Sequence, residues 1–250
     1  MTVELVHLSV QSGIATITLD SPANRNALSA PLRAQLLDAL ERAADDSVRV
    51  VVLDHTGPAF CAGMDLTEPP EAVTELPRIL ETMWTYPKPV VAKLAGHARA
   101  GGIGLLAAAD IAVAATHTTF AFTEVRLGVV PAVISVTVLA QLLPRAAHEL
   151  FLTGETFDAS RARAIGLLNS AVPADQLDAE VNRYLGMLLQ GGPQALTLTK
   201  QLLRRSSEPT MAREFAAMLE LSAACFASAE GQEGIRAFAE KRPASWVPAN

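Results

Sequence analysis

Cysteine is scarce: Cys61 and Cys225 are the only two in 250 residues. They lie too far apart for a disulfide framework and lack metal-ligand spacing, which points to a reducing compartment. Charge is also sparse, at 18% of residues against 50% apolar, so the chain falls outside the composition of disordered proteins. It has no basic surplus, and a net charge of −6 argues against a large nucleic-acid footprint. The segment from Met1 to Gly13 has no basic stretch leading into an apolar one, and no apolar run is long enough to span a bilayer. These absences predict a cytoplasmic globular protein with neither a nucleic acid nor a membrane as partner.

The residues present have the patterning of an α/β protein. Val3 to Val10 and Ile14 to Leu19 alternate around Gly13, as in a hairpin. Ser29 and Pro31 suit the start of a helix whose apolar face is Leu32, Leu36, Leu37 and Leu40. Val48 to Leu53, Val90 to Leu94 and Ile111 to Ala114 are nearly continuous apolar runs suited to strands covered on both faces. Each leads through a glycine-bearing loop into helix-compatible sequence, the pattern of parallel pairing with helices outside. From about Pro193 only helical signals remain: Pro193 to Leu203, Met211 to Ala227 and Gly231 to Lys241.

Three segments have chemical potential. After the strand ending at Leu53, small residues around Gly63 and Met64 would let backbone amides approach a ligand, although the same residues suit a plain strand-to-helix turn. After the strand ending at Leu94, Gly101 and Gly102 leave the backbone bare where a helix begins, so their amides and the helix dipole can face an anion. His97 stands beside Arg99 without a metal-ligand partner, which favours a structural or pocket-lining role. Glu124 lies among apolar residues, where desolvation would make a carboxylate a base near neutral pH; an ion pair with Arg126 is the plainer alternative. Cys61 is expected to be a buried small residue, not a nucleophile.

Taken in order, several motifs resemble the enoyl-CoA hydratase/isomerase (crotonase) family over nearly the whole chain, with similarity to a bacterial branch. They are Ser21 to Leu28, Phe60 to Leu66, Lys88 to Ala92 followed by Gly96 and Gly101–Gly102, Phe151 to Gly154, and Phe238 to Pro243. The resemblance implies a crotonase-like spiral core of repeated ββα units over residues 1–190. A helical region over 191–250 would serve assembly and active-site covering. It further implies that the Met64 and Gly101 amides form an oxyanion hole, with Glu124 as acid/base. Cys61 and Ala62 would lie at an adenine pocket, and Asp65 and Leu66 along the coenzyme A channel. Phe238 and Lys241 would sit near the nucleotide, that of a neighbouring subunit, with Arg25 close to the phosphates. The acyl-CoA thioester is the implied partner and substrate, with no metal and no separate cofactor, in a homotrimer or dimer of trimers.

Two departures leave the reaction open. Hydratases of the family carry a second Glu three residues after the oxyanion glycine, where this chain has Gly104, and Pro131 to Ser135 replaces a glycine-rich stretch. Methylglutaconyl-CoA hydratase-like members look similar at both places. Hydration of an enoyl-CoA is therefore the expected reaction, with Δ3-Δ2 isomerisation as the alternative. Two more distant readings are an inactive coenzyme A-binding homologue and an NAD-binding oxidoreductase. The second is prompted by Gly102-Ile103-Gly104-Leu105-Leu106-Ala107, a variant dinucleotide fingerprint.

Overall fold

The computed structural model describes residues 3–68, 75–204 and 208–245. The chain opens with a hairpin of β1 (Val6–Gln11) and β2 (Ile14–Leu19), paired Gln11 to Ile14. Ser12 and Gly13 both take positive φ, as a two-residue turn matched to strand twist requires. Helix α1 (Ala30–Arg42) follows. Ser29 occupies its N-cap as expected, yet its side chain makes no capping bond. The Ala30 N–H donates instead to Glu68 Oε1 at 2.5 Å, a carboxylate brought in from far along the chain.

Three times the chain then repeats a strand in one sheet, a strand in a second sheet, and a helix. The repeats are β3 (Val50–His55), β4 (Ala59–Cys61), α2 (Leu76–Trp84); β5 (Val90–Leu94), β6 (His97–Arg99), α3 (Gly101–Ala108); and β7 (Ile111–Ala115), β8 (Thr119–Ala121), α4 (Ala132–Val138). In the last, a 3₁₀ turn, Thr123–Leu127, precedes α4. Helix α5 (Pro144–Thr153), β9 (Phe157–Asp158), α6 (Ala159–Ala164) and β10 (Ser170–Val172) close the sheets. One sheet has the order β1-β2-β3-β5-β7-β10 and the other β4-β6-β8-β9. Pairing is parallel except for β1 with β2 and β8 with β9.

Alternation along β3 explains its nearly continuous apolar sequence. Val51 and Leu53 face the main core with α1 and α2, while Val50 and Val52 face α7 (Leu177–Gln190) through Leu177, Val181 and Leu185. The second sheet could not be read from the sequence, because strands of two or three residues are too short for periodicity to register.

Helices α8 (Pro193–Arg204), α9 (Glu208–Ala227) and α10 (Ala229–Ala239) complete the chain. They dock on the core by both charge and apolar contact. Lys200 Nζ and Arg204 Nη2 each lie 2.6 Å from Asp110, and Met211 and Phe215 are buried in the main core. Among the described residues no helix is long and apolar enough to cross a membrane, and no cluster of three metal-ligating side chains occurs.

Candidate active site

The site begins where β4 ends. Gly63, at φ +93°, turns the chain back so that its carbonyl accepts the Leu28 N–H at 2.8 Å, leaving Met64 bridged in parallel to Leu28. The Ser21 to Leu28 segment is held against this turn by the buried Asn26. Its Nδ2 donates to Thr56 O and Ala59 O, and its Oδ1 accepts the Ser21 N–H. A Cβ at Gly63 would stand 2.8 Å from the Ala100 methyl and 3.4 Å from Gly101 N, so only glycine lets this turn sit against the start of α3.

Helix α3 starts abruptly. Ala100 is held at φ +46°, ψ −119°, a strained conformation for a residue with a Cβ. The Ile103 and Gly104 amides turn back to Ala100 O, while among the described residues neither the Gly101 nor the Met64 N–H has an acceptor in the chain. Two unpartnered amides therefore flank one another at a helix N-terminus, a place suited to negative charge.

Glu124 belongs to the 3₁₀ turn that follows β8. Its Oε2 is closed to solvent and has no hydrogen-bond partner, and burial pushes its carboxyl up to about 7 from an ordinary 4.5. No ion pair with Arg126 forms; the Arg126 Nε donates to Thr153 O instead. Helix α10 seats Gly234 directly on the Leu127 backbone, fixing the end of this turn from the C-terminal side.

Glu124, Met64 and Gly101 line one cavity of about 560 Å³. Arg25, Ala62, Leu66 and Phe238 line the same cavity. Three other residues singled out from the sequence do not. Cys61 is fully buried under α3, its thiol pushed up to about 12 by desolvation and its Sγ accepting the Gly63 N–H at 3.4 Å, so it supports the turn without lining the cavity. Asp65 turns away to cap Thr67, accepting the Thr67 N–H at 3.0 Å and hydroxyl at 2.7 Å, and the hydroxyl bond foremost lowers its pKa. Lys241 is exposed beyond the end of α10 and does not contact the cavity, whereas Phe238 faces the cavity of its own chain. His97 is structural, its Nδ1 accepting the Thr119 N–H.

Gly104 is not an open position. A Cβ there would stand 2.8 Å from Ile134 Cγ2, so α4 occupies the space a second carboxylate would need. The apparent dinucleotide fingerprint lies wholly within α3, with Gly102 packed on the Cys61 carbonyl and Gly104 on Ile134. A dinucleotide fingerprint forms the turn between its strand and its helix, so a match inside the helix lends the NAD reading no support. Sequence reasoning missed Ser222 and Phe226 of α9 and Ile134 of α4 on the cavity wall, since nothing in their spacing marks them. It also missed Ala100, because an alanine at positive φ leaves no trace in sequence.

Comparisons with known proteins agree with the fold and point to one family. The profile described as enoyl-CoA hydratase/isomerase matches residues 9–248. A protein of Thermus thermophilus with the provisional name enoyl-CoA hydratase is 38% identical over 94% of this chain and 98% of its own. A crystal structure of an enoyl-CoA hydratase from Mycobacterium avium superposes with a TM-score of 0.92 at 42% identity, covering 98% of this chain and 100% of that one. A methylmalonyl-CoA decarboxylase in complex with 2-nitronate-propionyl-CoA superposes with a TM-score of 0.89 at 26% identity, over 99% and 100% of the two chains. With a matching profile across almost its full length, repeated strand–strand–helix units and these neighbours, the chain belongs to the enoyl-CoA hydratase/isomerase family.

Proposed function

We propose that the protein adds water across the 2,3 double bond of an enoyl-CoA thioester, with the Met64 and Gly101 amides as oxyanion donors and Glu124 as the single acid/base. The observation that carries this reading is a desolvated carboxylate facing the same cavity as two unpartnered amides. The thioester carbonyl would accept both N–H groups, drawing electron density from C3. Glu124 would take a proton from water as the water oxygen bonds to C3, and the enolate charge would rest on the two amides. Returning that proton to C2 completes the hydration and restores the carboxylate. Each preorganised donor in such a site supplies about 3–4 kcal/mol of transition-state stabilisation.

Binding of a coenzyme A thioester is supported by the acyl-CoA ligand of the decarboxylase neighbour and by Arg25, a cation at the cavity without a carboxylate partner among the described residues. The chemistry needs neither metal nor redox cofactor. Helices α9 and α10 would cover the site from within the chain, through Phe226, Ala237 and Phe238. The outer face of α8, with Leu198, Leu202 and Leu203 exposed, suits assembly into a homotrimer or a dimer of trimers. Residues 1–190 would then be the core and 191–250 the covering and assembly region.

The filled space at Gly104 favours a second reading, since a lone carboxylate can shuttle a proton between C4 and C2 without water. Turnover on 2-enoyl-CoA and 3-enoyl-CoA thioesters of increasing chain length separates the two. Formation of 3-hydroxyacyl-CoA is expected; double-bond migration with no hydroxylated product from any 2-enoyl substrate would establish the isomerase instead.

Installing the second carboxylate should fail by itself. Gly104→Glu drives a side chain into Ile134 and is expected to destabilise the fold by about 1–3 kcal/mol. Combining it with Ile134→Ala should recover much of the melting temperature. Equal melting temperatures for the single and double variants would show that Ile134 is not the obstacle.

A further inference from the structure

We propose that Arg33, which does not line the cavity, is a positioning residue for the two-amide cradle. This rests on the oxyanion reading above. Arg33 lies on α1, is only 2% exposed, and is among the largest fully buried side chains. A buried guanidinium needs strong compensation. Its Nη1 donates to Leu28 O at 2.5 Å and to Glu68 Oε2 at 2.9 Å, and its Nε donates to Glu75 Oε2 at 3.1 Å.

Leu28 is the residue that touches both donor segments. Its N–H fixes Gly63 O at 2.8 Å, its backbone is bridged to Met64, and its Cδ1 lies 3.0 Å from where a Gly101 Cβ would be. Glu68 ties the same guanidinium to the start of α1, and Glu75 holds the N-cap position of α2, which begins with Leu76 on the cavity wall. The planar fork of arginine satisfies three acceptors at once, which the point charge of lysine cannot do in the same geometry. Arg33 therefore sets the spacing of the Met64 and Gly101 amides without approaching the substrate.

The test compares Arg33→Met and Arg33→Lys with Arg42→Ala, an exposed arginine of the same helix, using crotonyl-CoA hydration and peptide-level hydrogen exchange. Misplacing catalytic groups by about an ångström costs on the order of a hundredfold. Both Arg33 variants should lower kcat about ten- to hundredfold with KM within about twofold. Exchange should accelerate in peptides covering residues 61–66 and 99–104 but not in those covering β7 and α7. Arg42→Ala should match wild type in both measurements. If Arg33→Met does not fold, Arg33→Lys decides alone. Wild-type exchange at 61–66 and 99–104, or acceleration spread evenly over the protein, overturns the proposal. Undiminished hydration by Glu124→Gln would instead sink the reaction assigned to the site, and the exchange pattern would still decide the role of Arg33.

Discussion

Glu124→Gln should lower kcat by about two to four orders of magnitude while leaving acyl-CoA affinity nearly unchanged. Glutamine preserves the shape and the contacts of the 3₁₀ turn, so the loss isolates proton transfer. The unmutated protein supplies an independent check. With its carboxyl pushed up to about 7, Glu124 is a competent base only above that pH, so kcat/KM should rise through about 7 and then level off. A folded Glu124→Gln protein with wild-type turnover would defeat hydration and isomerisation together.

The same substitution carries a stability signature of opposite sign. Between the ordinary 4.5 and about 7 the folded state holds a proton on Glu124 that the unfolded state has released. The stability contributed by this group is therefore complete below about 4.5 and is lost as pH rises through 7. Glu124→Gln removes that loss, so it should melt above wild type at pH 8 and level with it at pH 4. A lower melting temperature at pH 8 would mean that the carboxylate is compensated by a partner, contrary to its unbonded Oε2.

Legibility in the sequence follows element length and motif order. β5 (Val90–Leu94) is readable to the residue, because a strand covered on both faces leaves an apolar run broken only by Lys93, whose charge Asp54 pairs. β6 and β8, at three residues each, carry no pattern, so the second sheet and the spiral are available only through the family resemblance. Glu124 is legible as a carboxylate among apolar residues. The placement of Asp65 is not: the motif suggests a channel residue, whereas the hydroxyl two residues later offers it a local cap. Nothing in the sequence around Arg33 marks it for burial. Only folding brings Glu68 and Glu75 to it and makes its burial tolerable. Gly104 is legible as a missing carboxylate, yet the sequence cannot show that Ile134 has taken its space, since that contact joins two helices thirty residues apart.

Gly101→Val should cut kcat about a hundred- to thousandfold, the loss that follows from removing one oxyanion donor. A first carbon at this position already meets Leu28 Cδ1 at 3.0 Å, Leu76 Cδ2 at 3.5 Å and Gly63 Cα at 3.6 Å. The two further methyls of valine must press on Leu28 and on the Gly63 turn, displacing both amides at once. Overpacking of this kind costs about 1–3 kcal/mol, which a domain of ordinary stability tolerates, so the variant should remain folded. Gly101→Ala, with only the tight leucine contact to relieve, should fall between the two. Gly102→Ala is the contrasting control. Its Cβ would meet the Cys61 carbonyl at 2.5 Å, a backbone atom that cannot swing aside, so folding should suffer first. Circular dichroism with turnover on a shared 2-enoyl-CoA separates these outcomes. Near-normal kcat in a folded Gly101→Val protein would remove this amide from the hole and leave Met64 to act with some other donor.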